Sequence, residues 1–201
     1  MVTAKIYIEG GGEGRLQDTR FREAWSTFFG RAGLSGKMPR VIRCGSRLEA
    51  FKDFETAVRT PRANQIPILL VDSEGPVAEG HTAWQHLKAR PDDRWDRPAG
   101  ASDNQAFLMV QLMETWFLAD RATLRSYFGN ELREQHFKNW PSLENVPKAT
   151  VLDALSGATA ARAKSYAKGR VSFELLGRLD PSLVESACPS AHMLLDRLRK
   201  L

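Results

Sequence analysis

The sequence predicts an α/β protein, a mainly parallel sheet flanked by helices, and three observations carry that expectation. Short apolar runs at Lys5–Ile8, Pro39–Cys44 and Ile66–Val71 alternate with stretches of helical period, which gives the order βαβαβ. The third run is continuously apolar, as expected of a central parallel strand covered on both faces. Right-handed crossovers then make the sheet doubly wound and parallel.

Each element has its own signal. Leu16, Phe21, Ala24, Trp25, Phe28 and Phe29 recur at helical spacing over residues 16–32, and Gly30 and Gly33 end that helix. After the second strand, Gly45-Ser46 reads as a turn and helix cap, and Leu48, Phe51, Phe54 and Val58 mark the next helix. Residues 75–105 form a long connection rich in Gly, Pro, His, Trp and charge, with one short helix at Thr82–Arg90. Phe107–Leu112 reads as a fourth strand that runs into a helical stretch, Glu114–Asp120. Beyond it the chain is helical in short pieces, broken at Gly129, Pro141, Pro147, Gly157, Gly169, Pro181 and Pro189, and closed by amphipathic helices over Leu183–Leu198. The expected organisation is a core over residues 1–125 and a helical C-terminal elaboration over 126–201 packed on it, a single domain overall.

Composition narrows the class. The 201 residues suffice to bury a real core, and no apolar run approaches the ~20 residues needed to span a bilayer. The N-terminus lacks the basic-then-apolar order of a signal peptide, so a cytoplasmic location and no membrane partner are expected. Cys44 and Cys188 are each alone, which points to small buried hydrophobes rather than a zinc cluster or a disulfide. The formal net charge of +5 favours a polyanionic partner, and Arg162, Lys164, Lys168, Arg170 and Arg178 form a basic stretch that is either a phosphate-facing surface or a solvated helix face.

The chemistry-bearing feature is a pair of acidic turns, each directly after an apolar strand. Glu9-Gly10-Gly11-Gly12-Glu13-Gly14 follows the first and Asp72-Ser73-Glu74-Gly75-Pro76 the third. Ligands of open α/β sheets bind at the C-terminal ends of strands, so acids at two such ends can converge on one point. Crowded carboxylates call for a cation, and oxygen-only ligands suit Mg²⁺ or Mn²⁺. The glycine-rich turn is not a phosphate cradle of known spacing: a dinucleotide motif counted from Gly10 ends on Arg15, and no Walker-type Gly-Lys-Ser/Thr follows. Glu13 is either a further metal ligand or a cap of the following helix. His81 and His86 are badly spaced for zinc, and Trp84, Trp95 and Trp116 are either base-stacking platforms or, for at least two of them, core. No Ser-His-acid or Cys-His arrangement has a supporting local motif, which disfavours nucleophilic side-chain catalysis.

Ile8-Glu9-Gly10 with Glu13-Gly14, followed by Asp72-Ser73-Glu74 after the third strand, resembles the Toprim domain of topoisomerases, primases and OLD-family nucleases, a Rossmann-like fold. Val71–Pro76, Met113–Asp120, Val146-Pro147-Lys148 and Tyr166-Ala167-Lys168-Gly169 more closely resemble a bacterial family of small Toprim-like proteins, the domain of unknown function 4276 family, often encoded beside an ATPase in settings that suggest anti-phage defence. The resemblance implies that Glu9, Asp72 and Glu74 hold one or two divalent ions, that Glu13 serves a second, and that Glu114 joins the site. Glu74 departs from the aspartate of many Toprim domains. OLD-type enzymes use a lysine C-terminal to the acidic motifs, which makes Lys148 and Lys168 the candidates to neutralise a scissile phosphate.

The expected function is therefore a Mg²⁺- or Mn²⁺-dependent phosphodiesterase, a nuclease acting on DNA or RNA with an ATPase partner. The alternative is a non-catalytic Toprim-like regulator or adaptor of that ATPase. A nucleotidyl-transfer enzyme would need a nucleotide pocket, for which no loop is apparent. The chain is too short for topoisomerase strand passage.

Overall fold

The structure is a computed structural model and describes residues 3–10, 15–160 and 165–201. Four strands, β1 (Thr3–Glu9), β2 (Arg40–Cys44), β3 (Gln65–Asp72) and β4 (Ala106–Met109), form one wholly parallel sheet in the order β2-β1-β3-β4. Around it lie α1 (Arg15–Phe29), α2 (Arg47–Arg59), α3 (Ala83–Ala89), α4 (Thr115–Ala119), α5 (Arg121–Phe128), α6 (Lys148–Thr159), α7 (Arg170–Leu176), α8 (Pro181–Ala187) and α9 (Pro189–Arg199). This is a Rossmann-like α/β layout. The chain leaves β1 in one direction, to β2, and returns past it to β3, so the crevice between the tips of β1 and β3 is a topological switch point, where open sheets bind ligands.

Strand alternation divides the apolar residues between two layers. Ala4, Ile6 and Ile8 of β1 and Ile68 and Leu70 of β3 share a core with Phe21, Trp25, Phe28 and Phe29 of α1 and with the helices from α4 onward. Tyr7, Leu69 and Val71 instead pack with Ala50 and Phe54 of α2 and with Trp84 and Leu87 of α3. β3 is apolar without interruption from Ile66 to Val71 because both its faces are covered.

Helix boundaries follow their caps. Ser46 accepts from the Glu49 N–H while Glu49 answers the Ser46 N–H, and Thr82 and Gln85 repeat this reciprocal box before α3. The first helix runs through Gly30 into a π-helical turn, Gly30–Leu34, where Gly33 takes φ +85° and stops it. Leu16, counted with the apolar stripe, is exposed.

One expectation is corrected and one open alternative is decided. The fourth strand ends at Met109 rather than Leu112, because from Val110 the chain turns so that the Gln111 carbonyl accepts the Glu74 N–H at 2.8 Å. The tryptophans are core: Trp84, Trp95 and Trp116 are 4%, 8% and 0% exposed, which removes them as base-stacking platforms. Trp116 stacks on Phe28 with ring centroids 5.5 Å apart and meets Trp25 edge-on at 5.8 Å, tying α4 to α1. Cys44 and Cys188 are buried free thiols. Among the described residues, no helix is long and apolar enough to cross a membrane.

Candidate metal centre

Glu9 is the last residue of β1 and Asp72 the last of β3, and Glu74 follows two residues on. One carboxylate oxygen from each of the three lies within 4.8 Å of the others. The convergence is not automatic. Glu9 has the parity of Tyr7 and Asp72 that of Leu70, residues that face opposite sides of the sheet. The two acids meet because Glu9 reaches over the tip of β3, where its Oε1 accepts the Asp72 main-chain N–H at 3.3 Å. Asp72 Oδ1 accepts the Met113 N–H at 2.8 Å, which joins the end of β3 to the start of α4.

The turn Asp72-Ser73-Glu74 is anchored by main-chain hydrogen bonds. The Ser73 N–H donates to the Met109 carbonyl at 3.0 Å, continuing the β3–β4 pairing past the strand ends. Glu74 adopts φ +63°, a left-handed conformation that costs a non-glycine residue on the order of 1 kcal/mol and persists only when its surroundings impose it. On the β1 side, a Cβ on Gly10 would lie 2.9 Å from Arg43 Cγ and 3.0 Å from the Phe21 ring, so glycine is required for this close approach. The Arg43 Nε donates to the Gly10 carbonyl at 3.0 Å.

Electrostatics set the state of the acids. Burial pushes the Asp72 carboxyl well above the usual carboxylate range, and the Glu9 and Glu114 charges push it further. Burial also raises Glu9, against the opposing pull of Arg47. A cavity of about 570 Å³ opens on these acids, with Arg47, Glu114 and Lys168 in its wall. An all-oxygen donor set in which the Asp72 and Glu9 carboxylates are pushed towards the neutral form by burial fits a hard divalent cation.

Of the other predicted residues, Lys148 is brought to the acids: it opens α6, and its Nζ forms an ion pair with Glu74. The Lys148 N–H also donates to Gln111 Oε1 at 3.1 Å, so β4's extension anchors that helix. Glu114 is 2% exposed but stands outside the Glu9–Asp72–Glu74 grouping: its Oε1 accepts the Tyr166 hydroxyl and lies 3.7 Å from Lys168 Nζ. Lys168 is thus held at the rim of the cavity through Glu114. Asp120 caps α5 by accepting the Thr123 N–H at 3.0 Å, as a helix-end residue should. Glu13, Arg162 and Lys164 lie outside the described residues.

Sequence reading passed over Arg47, Arg90 and Asp93, and placed His86 only in its loop. His86 Nε2 instead donates to the Ser73 carbonyl at 2.8 Å, on the acidic turn itself. A signal for Arg47 was present: the Ser46–Glu49 capping box puts it at the first position of α2, directly beyond the tip of β2. A cation is unfavourable at a helix N-terminus, so its placement there implies acidic partners.

Fold and site together define a parallel α/β protein with a carboxylate cluster at its switch point. The chain belongs to the family described as Domain of unknown function (DUF4276), whose model matches residues 8–199. Comparison with curated proteins and with solved structures gives no match.

Proposed function

We propose that this protein is a Toprim-type, Mg²⁺- or Mn²⁺-dependent phosphodiesterase that cleaves DNA or RNA in the cytoplasm. The observation that carries this reading is the approach of Glu9, Asp72 and Glu74 oxygens to within 4.8 Å at the switch point. Glu9, Asp72 and Glu74 would hold the cation, and the cation supplies Lewis-acid polarisation of a phosphodiester.

The remaining work falls to the protein's own groups. Lys168 stands in the cavity wall beside Glu114, and Lys148 is ion-paired to Glu74. A phosphate entering the cavity meets the Lys168 ammonium, with the Lys148 charge nearby through Glu74; these charges would stabilise the oxyanion as water adds to phosphorus, the ester P–O bond breaks and a proton of the water ends on the departing oxygen. Among the described residues a basic side chain also continues outward at Arg170, on the exposed start of α7, in keeping with a polyanionic substrate. The ATPase partner and the anti-phage setting rest on the resemblance of Val71–Pro76, Met113–Asp120, Val146–Lys148 and Tyr166–Gly169 to small Toprim-like proteins.

The test is incubation of purified protein with Mn²⁺ and single- and double-stranded DNA and RNA, with and without the product of a neighbouring ATPase gene. Cleavage that disappears in folded Asp72→Ala supports the proposal. Equal cleavage by both proteins indicates a contaminant. Inactivity of the wild type under every condition replaces the nuclease with the adaptor.

A further inference from the structure

The turn that carries Asp72 and Glu74 is gripped from outside by groups that do not belong to the carboxylate cluster. Asp93, in the connection after α3, has a side chain only 3% exposed and receives two arginines. Arg47 approaches it as a fork, Nε to Oδ1 at 2.9 Å and Nη2 to Oδ2 at 2.8 Å, and Arg90 Nε donates to Oδ2 at 2.7 Å. Each arginine then reaches the acidic turn. Arg47 Nη1 donates to the Asp72 carbonyl and lies 3.4 Å from Glu9 Oε2, and Arg90 Nη1 donates to the Ser73 carbonyl at 3.3 Å. His86 adds a second donor to that carbonyl. The Arg47 guanidinium also lies 5.1 Å from the Trp95 ring centre, and Trp95 stacks on Phe51 of α2 at 4.4 Å, so its orientation is fixed on a flat face as well.

We infer that Asp93 is a positioning residue: through Arg47 and Arg90 it holds the Asp72–Glu74 turn and the Glu9 carboxylate in the arrangement that binds the cation. The inference rests on the metal reading proposed above. Most of the Arg47 donors are engaged by protein groups, so the residue acts on the ligands and not on a substrate phosphate. Electrostatics alone predicts a different outcome for Arg47→Lys, which keeps a positive charge beside Glu9 and should leave cation binding unchanged, whereas Asp93→Asn removes a negative charge and weakens binding on either account. Positioning predicts weaker binding in Arg47→Lys as well, since outer partners of metal ligands typically change affinity tenfold or more.

Two measurements on the full chain separate these possibilities, with Asp93→Asn and Arg47→Lys as variants and Lys88→Ala, which removes an exposed ion pair with Asp96 on the same segment, as control. Arg47→Lys keeps the charge and loses the fork. The first measurement is amide hydrogen exchange of Ser73 and Glu74 without metal, and the second is the Mn²⁺ dissociation constant by calorimetry. Both variants are expected to accelerate exchange at those amides and to weaken Mn²⁺ binding by about tenfold, with Lys88→Ala like the wild type. Unchanged Mn²⁺ affinity in Arg47→Lys overturns the inference, whatever Asp93→Asn or the exchange does. Wild-type protein that binds no Mn²⁺ sinks the metal reading separately, and exchange then decides alone whether Asp93 holds the turn.

Discussion

Glu9 Oε1 accepts the main-chain N–H of Asp72 at 3.3 Å, so the side chain ending one strand is bonded to the backbone ending its neighbour. This bond brings together acids that strand parity directs to opposite sheet faces. It also makes Glu9 partly structural: its carboxylate has an N–H and a guanidinium as partners even without a cation, whereas Asp72 is crowded by Glu9 and Glu114.

Cation binding should stabilise the fold. A ligand that binds only the native state at a hundredfold excess over its Kd adds about 2.7 kcal/mol, roughly 5–10 °C in Tm for a chain of this size. Mn²⁺ is expected to raise the melting temperature on that scale in the wild type and to leave Glu9→Gln/Asp72→Asn unmoved. An equal rise in the double variant would place the cation elsewhere.

Metal-free stability should depend on pH through Asp72. Burial, then the charges of Glu9 and Glu114, raise its folded value above the unfolded one of about 3.9. The native state therefore keeps a proton that the unfolded state has released, and the associated stability, full below the unfolded value, is lost as pH rises through the folded value. Asp72→Asn, a neutral mimic of the protonated acid, is expected to match the wild type at or below pH ~4 and to exceed it increasingly towards pH ~8 in urea denaturation. A constant difference across that range would contradict the assignment. Groups such as His86, whose imidazole burial holds below its ordinary range, cancel in the comparison.

The two lysines should separate chemistry from cation binding. Lys168→Ala removes an ammonium 3.7 Å from Glu114 and is expected to lower kcat on the order of a hundredfold while leaving Mn²⁺ affinity unchanged. Lys148→Ala also frees Glu74 from its ion pair and should therefore tighten Mn²⁺ while slowing turnover. Parallel titrations of both variants would expose a common role if their affinities moved together.

Trp116 tests the core assignment. It is fully buried between Phe28 and Trp25, and truncation of such a residue to alanine costs about 3–5 kcal/mol. Chemical denaturation of Trp116→Ala should show that loss. A variant of near wild-type stability with weakened nucleic-acid binding would restore the stacking role.

Much of this protein was readable along the chain. Periodicity located the three strands and the helices between them, because a covered parallel strand and an amphipathic helix each leave a local imprint on side-chain polarity. Glu9, Asp72 and Glu74 stood out for a similar reason, as acids placed directly after buried strands. Ion-pair and hydrogen-bond partners leave no such imprint, since any carboxylate suits any guanidinium and only distance in space chooses between them. Arg47 finds Glu9 across 38 residues and Asp93 across 46, and Lys148 finds Glu74 across 74. The tryptophans show the same division: an aromatic ring suits a nucleobase or a neighbouring Phe equally well, and the packing of α1 against α4 decided for Trp116. Sequence thus determined the strands, the helices and which acids stand at the strand tips, through polarity patterns that are local. Tertiary structure alone decided which cations hold those acids and how two carboxylates of opposite parity meet, because that depends on crossovers that bring distant segments to one edge of the sheet.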